Sequence, residues 1–121
     1  MNPRELKNRT RRFAMDVTRC VESQQVTPFT MNVRHQLIRS SSSVGANYHE
    51  ACRARSRKEF ISKLEIVIQE LDETDYWLRM MMDYGGKNRD VLQDLLKETD
   101  ELTAIMTASS RTAKLSRKPH R

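Results

Sequence analysis

The chain has few of the residues that turns and sheets require, with three Gly and three Pro among 121 residues. A β-sandwich, a barrel or an α/β sheet with phosphate-binding loops needs more turn positions than this. Two Cys are too few for a disulfide framework and are typical of a protein of the reducing cytoplasm. No apolar run approaches the roughly 20 residues of a membrane span, and no apolar segment follows the N-terminal charges as in a signal peptide. We therefore expect a cytoplasmic helical protein that does not associate with membranes.

Charge is unevenly distributed along the chain. The net charge is +6, but residues 1–58 carry +8, residues 59–108 carry −7 and residues 109–121 carry +5. Such segregation favours a protein that associates with itself through opposite faces, or one that presents a basic surface to a polyanion. Solvated helix faces are the ordinary alternative for any single charge.

The spacing of apolar residues predicts four helices joined by short connections. Their predicted starts are, in chain order, Pro3 after the N-cap Asn2, the vicinity of Thr30, the residues after the Ser56–Glu59 capping box, and the residues after Asn88 or Asp90. Gly85 and Gly86 are expected to end the third helix, and the periodicity of the fourth stops near residue 109. Short connections make neighbouring helices antiparallel. The sequence thus predicts an all-α, antiparallel up-down four-helix bundle over residues 1–108, followed by a flexible basic tail over residues 109–121.

Some outward positions of the predicted helices carry apolar or small side chains instead of long charged ones. An exposed Trp on a small protein marks a contact surface more often than chance. Small side chains let a second helix approach closely, which is another sign of packing. We expect subunit contacts and hence a homo-oligomer, and the alternative is an irregular bundle with these groups at its margins. The predicted interface residues are Met15, Ser43, Ala46, Ile66, Trp77 and Met81.

The outer face of the first helix is predicted to be cationic, and the end of the chain adds further cations. Guanidinium and ammonium groups on a rigid helix suit phosphate oxygens, so binding to a nucleic-acid backbone would weaken steeply with salt. No aromatic residues interleave with these cations to stack bases, and no sequence-reading motif is present. We therefore expect RNA or DNA binding without sequence preference. The predicted binding residues are Arg4, Lys7, Arg11, Arg12, Arg19, Arg111, Lys114, Arg117 and Lys118.

No pattern in the sequence indicates catalysis. The Glu-x-x-His pairs of di-iron bundles, the Cys-x-x-Cys of zinc and redox sites, and the Arg-x(4–6)-His of a helical ribonuclease are all missing. Cys20 and Cys52 are interpreted as core residues and His49 as a boundary residue. The acidic run over residues 70–75 is interpreted as a solvated face, with a weak metal site as the alternative. We expect no catalytic residue, no cofactor and no metal.

The residue order of the second and third helices resembles a known family. The resemblance is carried by Gln36-x-x-Arg39-Ser40-x-x-Ser43-Val44-x-x-Asn47-Tyr48-x-Glu50-Ala51, by Ser56-x-Lys58-Glu59-Phe60-Ile61, and by Glu70-x-x-Glu73-Thr74-x-Tyr76-Trp77-Leu78. These strings are similar to those of the bacterial four-helix bundle proteins called the 23S rRNA intervening-sequence protein family. The resemblance covers residues 5–106. The chain departs from the family pattern at Ser40, usually Ala, at Tyr48, often Ile, and at Ala51, often Gly.

This resemblance implies a ring-like homopentamer of four-helix bundles. A distant relative, the accessory variability protein of diversity-generating retroelements, implies a basic barrel that binds nucleic acid and a protein partner such as a reverse transcriptase. The resemblance implies no catalytic residue. The chain matches the family's polar positions on the second helix at Gln36, Arg39, Asn47 and Glu50, and we expect these groups to satisfy one another within or between subunits.

Two classes of function remain. The first is a non-enzymatic homo-oligomer that binds nucleic acid through its basic surface. The second is an assembly or scaffold module, whose basic face docks on the acidic third helix of a neighbour or on another protein. A toxin-like nuclease would need an active site that the sequence does not show.

Overall fold

The computed structural model describes residues 1–116, which form four helices and no strand. The helices are α1 (Pro3–Glu22), α2 (Pro28–Cys52), α3 (Arg57–Tyr84) and α4 (Arg89–Leu115). Each helix packs against its neighbour in the chain, and α1 also contacts α4, which closes the bundle. The predicted all-α four-helix architecture is confirmed. None of these helices combines the length and the apolar character that crossing a membrane requires.

Side-chain caps set the starts of the first two helices. Asn2 Oδ1 accepts a backbone N–H of the first turn of α1 at 2.8 Å, and Pro3 follows it as predicted. Helix α2 begins earlier than predicted, because Thr27 Oγ1 accepts the Thr30 N–H at 3.1 Å. Pro28 therefore occupies the first turn of α2 and not the connection, a position where its missing N–H costs nothing.

The boundaries of α3 follow the predicted signals, with one difference. Ser56 Oγ accepts the Glu59 N–H at 3.1 Å. The Glu59 carboxylate accepts the Arg55 N–H at 3.2 Å and not that of Ser56, so the capping box is half formed. Gly85 ends α3 with a φ of 91°, a left-handed conformation that glycine adopts without strain.

Helix α4 is longer than its apolar periodicity predicts. It continues to Leu115, so residues 109–115 of the predicted tail are helical. Ser110 still lies on the buried face, where only 4% of its surface is exposed. The apolar pattern fades there because a serine takes the inward position, not because the helix ends. Residues 117–121 of the predicted tail, including Arg117 and Lys118, lie outside the described residues.

The interior contains the predicted apolar stripes together with small polar contacts. Thr74 Oγ1 donates to Ser40 Oγ at 2.9 Å. Both residues are fully buried between α2 and α3, so this bond gives each hydroxyl a hydrogen-bond partner. Between α1 and α2, a Cβ added at Gly45 would lie 3.3 Å from Thr10 Oγ1. The glycine therefore serves close packing of two helices within one chain.

The outward assignment of Met81 is wrong, because this side chain is fully buried. Its Cγ lies 2.8 Å from the position that a Cβ on Gly86 would occupy, and Gln24 Oε1 lies at 2.9 Å from the same point. The connections at this end of the bundle thus close over Met81, a tertiary contact that helical periodicity alone does not predict. Trp77 is half-buried and packs against the core, whereas Ile66 remains 36% exposed.

Candidate nucleic-acid interface

One end of the bundle collects cations from three separate segments of the chain. Because neighbouring helices are antiparallel, the start of α1, the α2–α3 connection and the end of α4 meet there. We call this region the basic end, and its cations are Arg4, Lys7, Arg53, Arg55, Arg57, Lys58, Arg111 and Lys114. Two helix N-termini and two C-termini also meet here, so the helix dipoles largely cancel and the side chains set the sign of the potential.

The carboxylates of this end are fewer and already have partners. Glu50 accepts a hydrogen bond from Lys63 Nζ at 2.7 Å, and Glu65 accepts one from Lys114 Nζ at 3.1 Å. The bond from Lys63 lowers the pKa of Glu50 and keeps this group ionised. Within residues 1–116, no carboxylate lies within 4.0 Å of the charged groups of the following cations: Arg4, Lys7, Arg53, Arg55, Lys58 and Arg111. These cations are therefore available to an external anion.

A groove of about 730 Å³ opens among the four helices at the basic end, and we call it the end groove. Its lining includes three cations, Lys7, Arg55 and Arg57. The apolar and aromatic part of the lining is Leu6, Tyr48, Ala51, Cys52, Phe60 and Ile105. Arg57 Nη1 donates to the Ser116 carbonyl, which links the first turn of α3 to the end of α4. No acidic residue lines this groove in the described chain.

Two aromatic residues accompany the cations in the end groove. Tyr48 is nearly buried, and Phe60 is half-buried. The pKa of the Tyr48 phenol is raised mainly by burial and to a smaller extent by the neighbouring Cys52 thiol. The phenol therefore stays neutral. The cationic face of α1 itself lacks aromatic residues, as the sequence indicates. In the end groove, α2 and α3 supply the aromatic residues. The expectation that no aromatic residue accompanies the cations therefore holds for the face of α1 and is wrong for the end groove.

The predicted cations of α1 do not form one continuous face. Lys7 and Arg11 line a groove between α1 and α2, whereas Arg12 and Arg19 line another between α1 and α4. The second groove also holds the carboxylates of Asp16, Asp94 and Glu98. Since the 15 residues from Arg4 to Arg19 span about 22 Å along a helix, Arg19 lies far from Arg4. The structure thus brings Arg4, Lys7, Arg111 and Lys114 to one end and leaves Arg12 and Arg19 outside it.

Arg9 is a cation of α1 that takes a structural role. Its Nε and Nη2 donate to the two oxygens of Glu98 at 2.7 and 2.6 Å, and Nη2 also donates to Glu101 at 2.9 Å. The bidentate bond to Glu98 is the main reason that the pKa of Arg9 is raised. Arg9 ties α1 to α4, and its charge is not free for a ligand.

Sequence reasoning missed the cations of the α2–α3 connection and of the first turn of α3. Arg53, Arg55, Arg57 and Lys58 fall within six consecutive residues. This local cluster of cations is the sequence signal that could have indicated them. The cluster forms part of a larger basic surface only because the antiparallel topology places it beside the two ends of the described chain.

The predicted subunit-contact residues other than Met15 and Met81 lie along α2 and α3. Arg39 Nη2 donates to Glu73 at 2.6 Å, and this contact together with the Lys63–Glu50 bond fixes the register of the two helices. That register places Ser43 near Glu70. Ala46 lies instead in the groove between α1 and α2, beside Lys7 and Arg11. We call the surface formed by Ser43, Ile66, Glu70 and Trp77 the α2–α3 face.

The polar groups on this side of the molecule partly satisfy one another. Gln36 Oε1 accepts a bond from Arg39 at 3.0 Å, and Asn47 Nδ2 donates to the Ser43 carbonyl at 2.9 Å. Desolvation and the neighbouring Glu73 raise the pKa of Glu70. Met15 is 49% exposed on α1, away from this face.

Potential metal ligands are dispersed over the part of the chain that the structure describes. Among residues 1–116, no three His, Cys, Asp or Glu side chains come together closely enough to hold a metal ion. Desolvation raises the pKa of the Cys20 thiol, which disfavours the nucleophilic thiolate form.

Comparison with known proteins gives a family match and a structural match. A family model described as "23S rRNA-intervening sequence protein" matches residues 4–108. The chain is also similar to a crystal structure, at 1.70 Å resolution, of a protein of unknown function of the S23 ribosomal protein family from Bacteroides thetaiotaomicron VPI-5482. The TM-score is 0.79 at 26% sequence identity, and the match covers 92% of this chain and 99% of the other. No curated protein matches the chain.

Proposed function

The chain belongs to the 23S rRNA-intervening sequence protein family, and we propose that it is a non-enzymatic homo-oligomer whose basic end binds the backbone of RNA or DNA. The observation that carries this proposal is the meeting of three cationic segments at one end, where most of the cations lack a carboxylate partner. Unpaired Arg and Lys groups attract phosphates, and each phosphate contact releases counterions. Affinity is therefore governed by salt and not by base sequence.

Self-association is the second part of this proposal. The α2–α3 face combines the exposed Ile66 and the half-buried Trp77 with the small side chain of Ser43. Small and apolar groups allow a second copy to pack closely. In the ring-like homopentamer that the family resemblance implies, five basic ends would repeat around one axis and their fields would add.

Binding is tested with fluorescence anisotropy on an RNA duplex and a DNA duplex of the same sequence across a salt series. We expect both to bind at low salt, with a logarithmic salt slope close to −0.9 for each phosphate contacted. If neither the RNA duplex nor the DNA duplex binds at low salt, the proposal is wrong.

The scaffold function is the alternative, and the acidic exposed side chains of α3 favour it. Asp72 and Asp83 are exposed there and form no ion pair within the described residues, so they could receive the basic end of a neighbour. The triple variant Arg4→Glu, Lys7→Glu, Arg11→Glu separates the two functions. Loss of nucleic-acid binding with an unchanged oligomer supports our proposal, whereas dissociation of the oligomer supports the scaffold.

The oligomer is tested by light scattering coupled to size-exclusion chromatography. A chain of 14.2 kDa should elute as a multiple of that mass. Ile66→Glu should release monomers that keep their helical circular dichroism, because it introduces a charge into the α2–α3 face. Val26→Glu is the matched control, since Val26 is 69% exposed in the α1–α2 connection, away from this face. A wild-type mass equal to one chain at micromolar concentration would remove the self-association part.

A further inference from the structure

The end groove has an apolar and aromatic lining, which binding to a phosphate backbone alone does not require. A surface that only neutralises phosphates needs exposed cations, and the basic end has them outside the groove in Arg53, Lys58 and Arg111. The groove adds an apolar lining with a half-buried aromatic ring, Phe60. The structure assigns this groove to one unpaired nucleotide of the bound strand, with the base against the apolar lining and the adjacent phosphate on Lys7, Arg55 and Arg57. This inference rests on the proposed function and gives it a preferred substrate, a strand end or bulge.

The size and composition of the groove fit such a ligand. Its volume of about 730 Å³ lies within the range of roughly 300–1,000 Å³ typical of small-molecule sites. Bases stack on aromatic and apolar side chains without regard to sequence, because every base has a flat π face. Phe60 is the half-buried aromatic ring of this lining, and the thiol of Cys52 lies in the same lining.

The charges of the groove favour an anion that also carries an apolar part. Its three cations come from separate places, with Lys7 on α1, Arg55 in the α2–α3 connection and Arg57 in the first turn of α3. The bond from Arg57 to the Ser116 carbonyl holds this guanidinium at the groove, and a neutral carbonyl leaves its charge uncompensated. The absence of acidic groups from the described lining disfavours a cationic ligand. A nucleotide with its phosphate matches both the charged and the apolar parts.

The test compares a blunt RNA duplex with the same duplex carrying a single unpaired adenosine at one strand end. We expect the unpaired nucleotide to tighten binding by about tenfold, the effect of stacking one base on a protein side chain. We also expect it to slow alkylation of Cys52 by N-ethylmaleimide, because this thiol lines the groove. Cys20, which is 4% exposed and lies near the other end of α1, is the internal control within the same molecule.

A pair of matched variants tests the role of the aromatic ring. Phe60→Ala should abolish the preference for the unpaired nucleotide, measured as the ratio of the affinities of the two duplexes. Phe29→Ala removes another half-buried ring, at the opposite end of the bundle, so it controls for loss of stability and should keep the preference. Urea unfolding of both variants confirms that each is folded under the binding conditions.

The possible outcomes separate this inference from the proposed function. If neither duplex binds, both fail together. If both duplexes bind equally and Cys52 is alkylated at the same rate with each, the end groove does not receive a nucleotide although the basic end still binds the backbone. If dodecyl phosphate or an acidic peptide with an apolar residue protects Cys52 and the unpaired duplex does not, the groove serves that ligand and our inference is wrong.

Discussion

The two ends of the bundle join helices in opposite ways. At the end formed by the α1–α2 and α3–α4 connections, the Gln24 side chain bonds the backbone of Lys87 twice, donating to its carbonyl at 2.8 Å and accepting its N–H at 2.7 Å. Asn88 Nδ2 donates to Ser23 Oγ at 2.8 Å, and the rings of Phe29 and Tyr84 stack at 4.3 Å. We call this the clamped end. Its polar groups are satisfied by the chain itself, which leaves them little to offer a ligand.

The basic end has the reverse character. The end groove of about 730 Å³ opens between the helices there, and most of the cations have no carboxylate partner in residues 1–116. A cation without a partner adds little to folding stability but raises the local potential. From this difference we expect the clamped end to contribute more to stability and the basic end to contribute more to the proposed binding. Substitutions at the two ends should therefore change different measurements.

The largest effect is expected from removing charge at the basic end. Arg55→Ala, Arg57→Ala and Lys58→Ala together should weaken binding to duplex RNA about a hundredfold at about 0.1 M salt, and should lower the salt slope by roughly three, because each phosphate contact contributes about 0.9 to the slope. The matched triple variant Arg19→Ala, Lys87→Ala, Arg89→Ala removes the same charge near the clamped end. Anisotropy should show little change for this second variant, and equal losses would mean that only net charge matters.

The next effect concerns the clamp itself. Gln24→Ala should lower the free energy of unfolding by about 1–3 kcal/mol, because a buried side chain that bonds two backbone groups is lost. Gln25→Ala changes the neighbouring exposed side chain and should stay within about 0.5 kcal/mol. Urea denaturation measures both. Nucleic-acid binding by the folded Gln24→Ala protein should be unchanged, and a binding defect would contradict the division between the two ends.

A smaller loss of stability is expected at the basic end from a helix cap. Ser56→Ala removes the acceptor for the Glu59 N–H and should cost about 1 kcal/mol of unfolding free energy. Ser62→Ala, at an exposed position within α3, is the control and should be neutral or slightly stabilising, since alanine has the better helix propensity. A cost of the Ser56 substitution above that of Gln24→Ala would reverse the ranking of the two ends.

The smallest effect comes from a carboxylate that opposes phosphate at the basic end. Glu50→Gln should tighten binding to RNA a few-fold, because one repulsive charge is removed. The pKa of Glu50 is lowered in the folded state by Lys63, so its ion pair contributes stability above the unfolded-state pKa and loses it as the pH falls through the lowered folded-state pKa. Urea midpoints of wild type and Glu50→Gln should therefore converge at acid pH. A difference that grows on acidification would contradict this assignment.

Much of the fold follows from local signals in the sequence. One apolar residue of each helix illustrates this: Phe13, Val44, Leu71 and Leu102 recur at helical spacing with their apolar neighbours, and all four are buried. Two errors arise where tertiary contact decides. Met81 is buried because the connections at the end of the bundle cover it. Helix α4 continues to Leu115, although its apolar periodicity stops near residue 109.

The candidate site was predicted only in part, for a reason of geometry. Helical periodicity assigns Arg4, Arg12 and Arg19 to one outer surface of α1, but it does not say which neighbour each one meets. Carboxylates of α4 share the groove with Arg12 and Arg19, and a residue on another helix is not visible in the local pattern. The end groove likewise combines Phe60 and Lys7, which are distant in sequence and meet through the bundle topology.

Because the bundle has four antiparallel helices, α1 begins and α4 ends at the same end of the molecule. Met1 and Ser116 both line the end groove. A purification tag fused at the N-terminus would therefore begin at the mouth of the groove, and a polyhistidine tag there would compete for phosphates or block entry. Fluorophores and surface tethers are better placed in the α1–α2 connection, at the 69% exposed Val26. Tethered in that way, the protein would present its basic end to the solution.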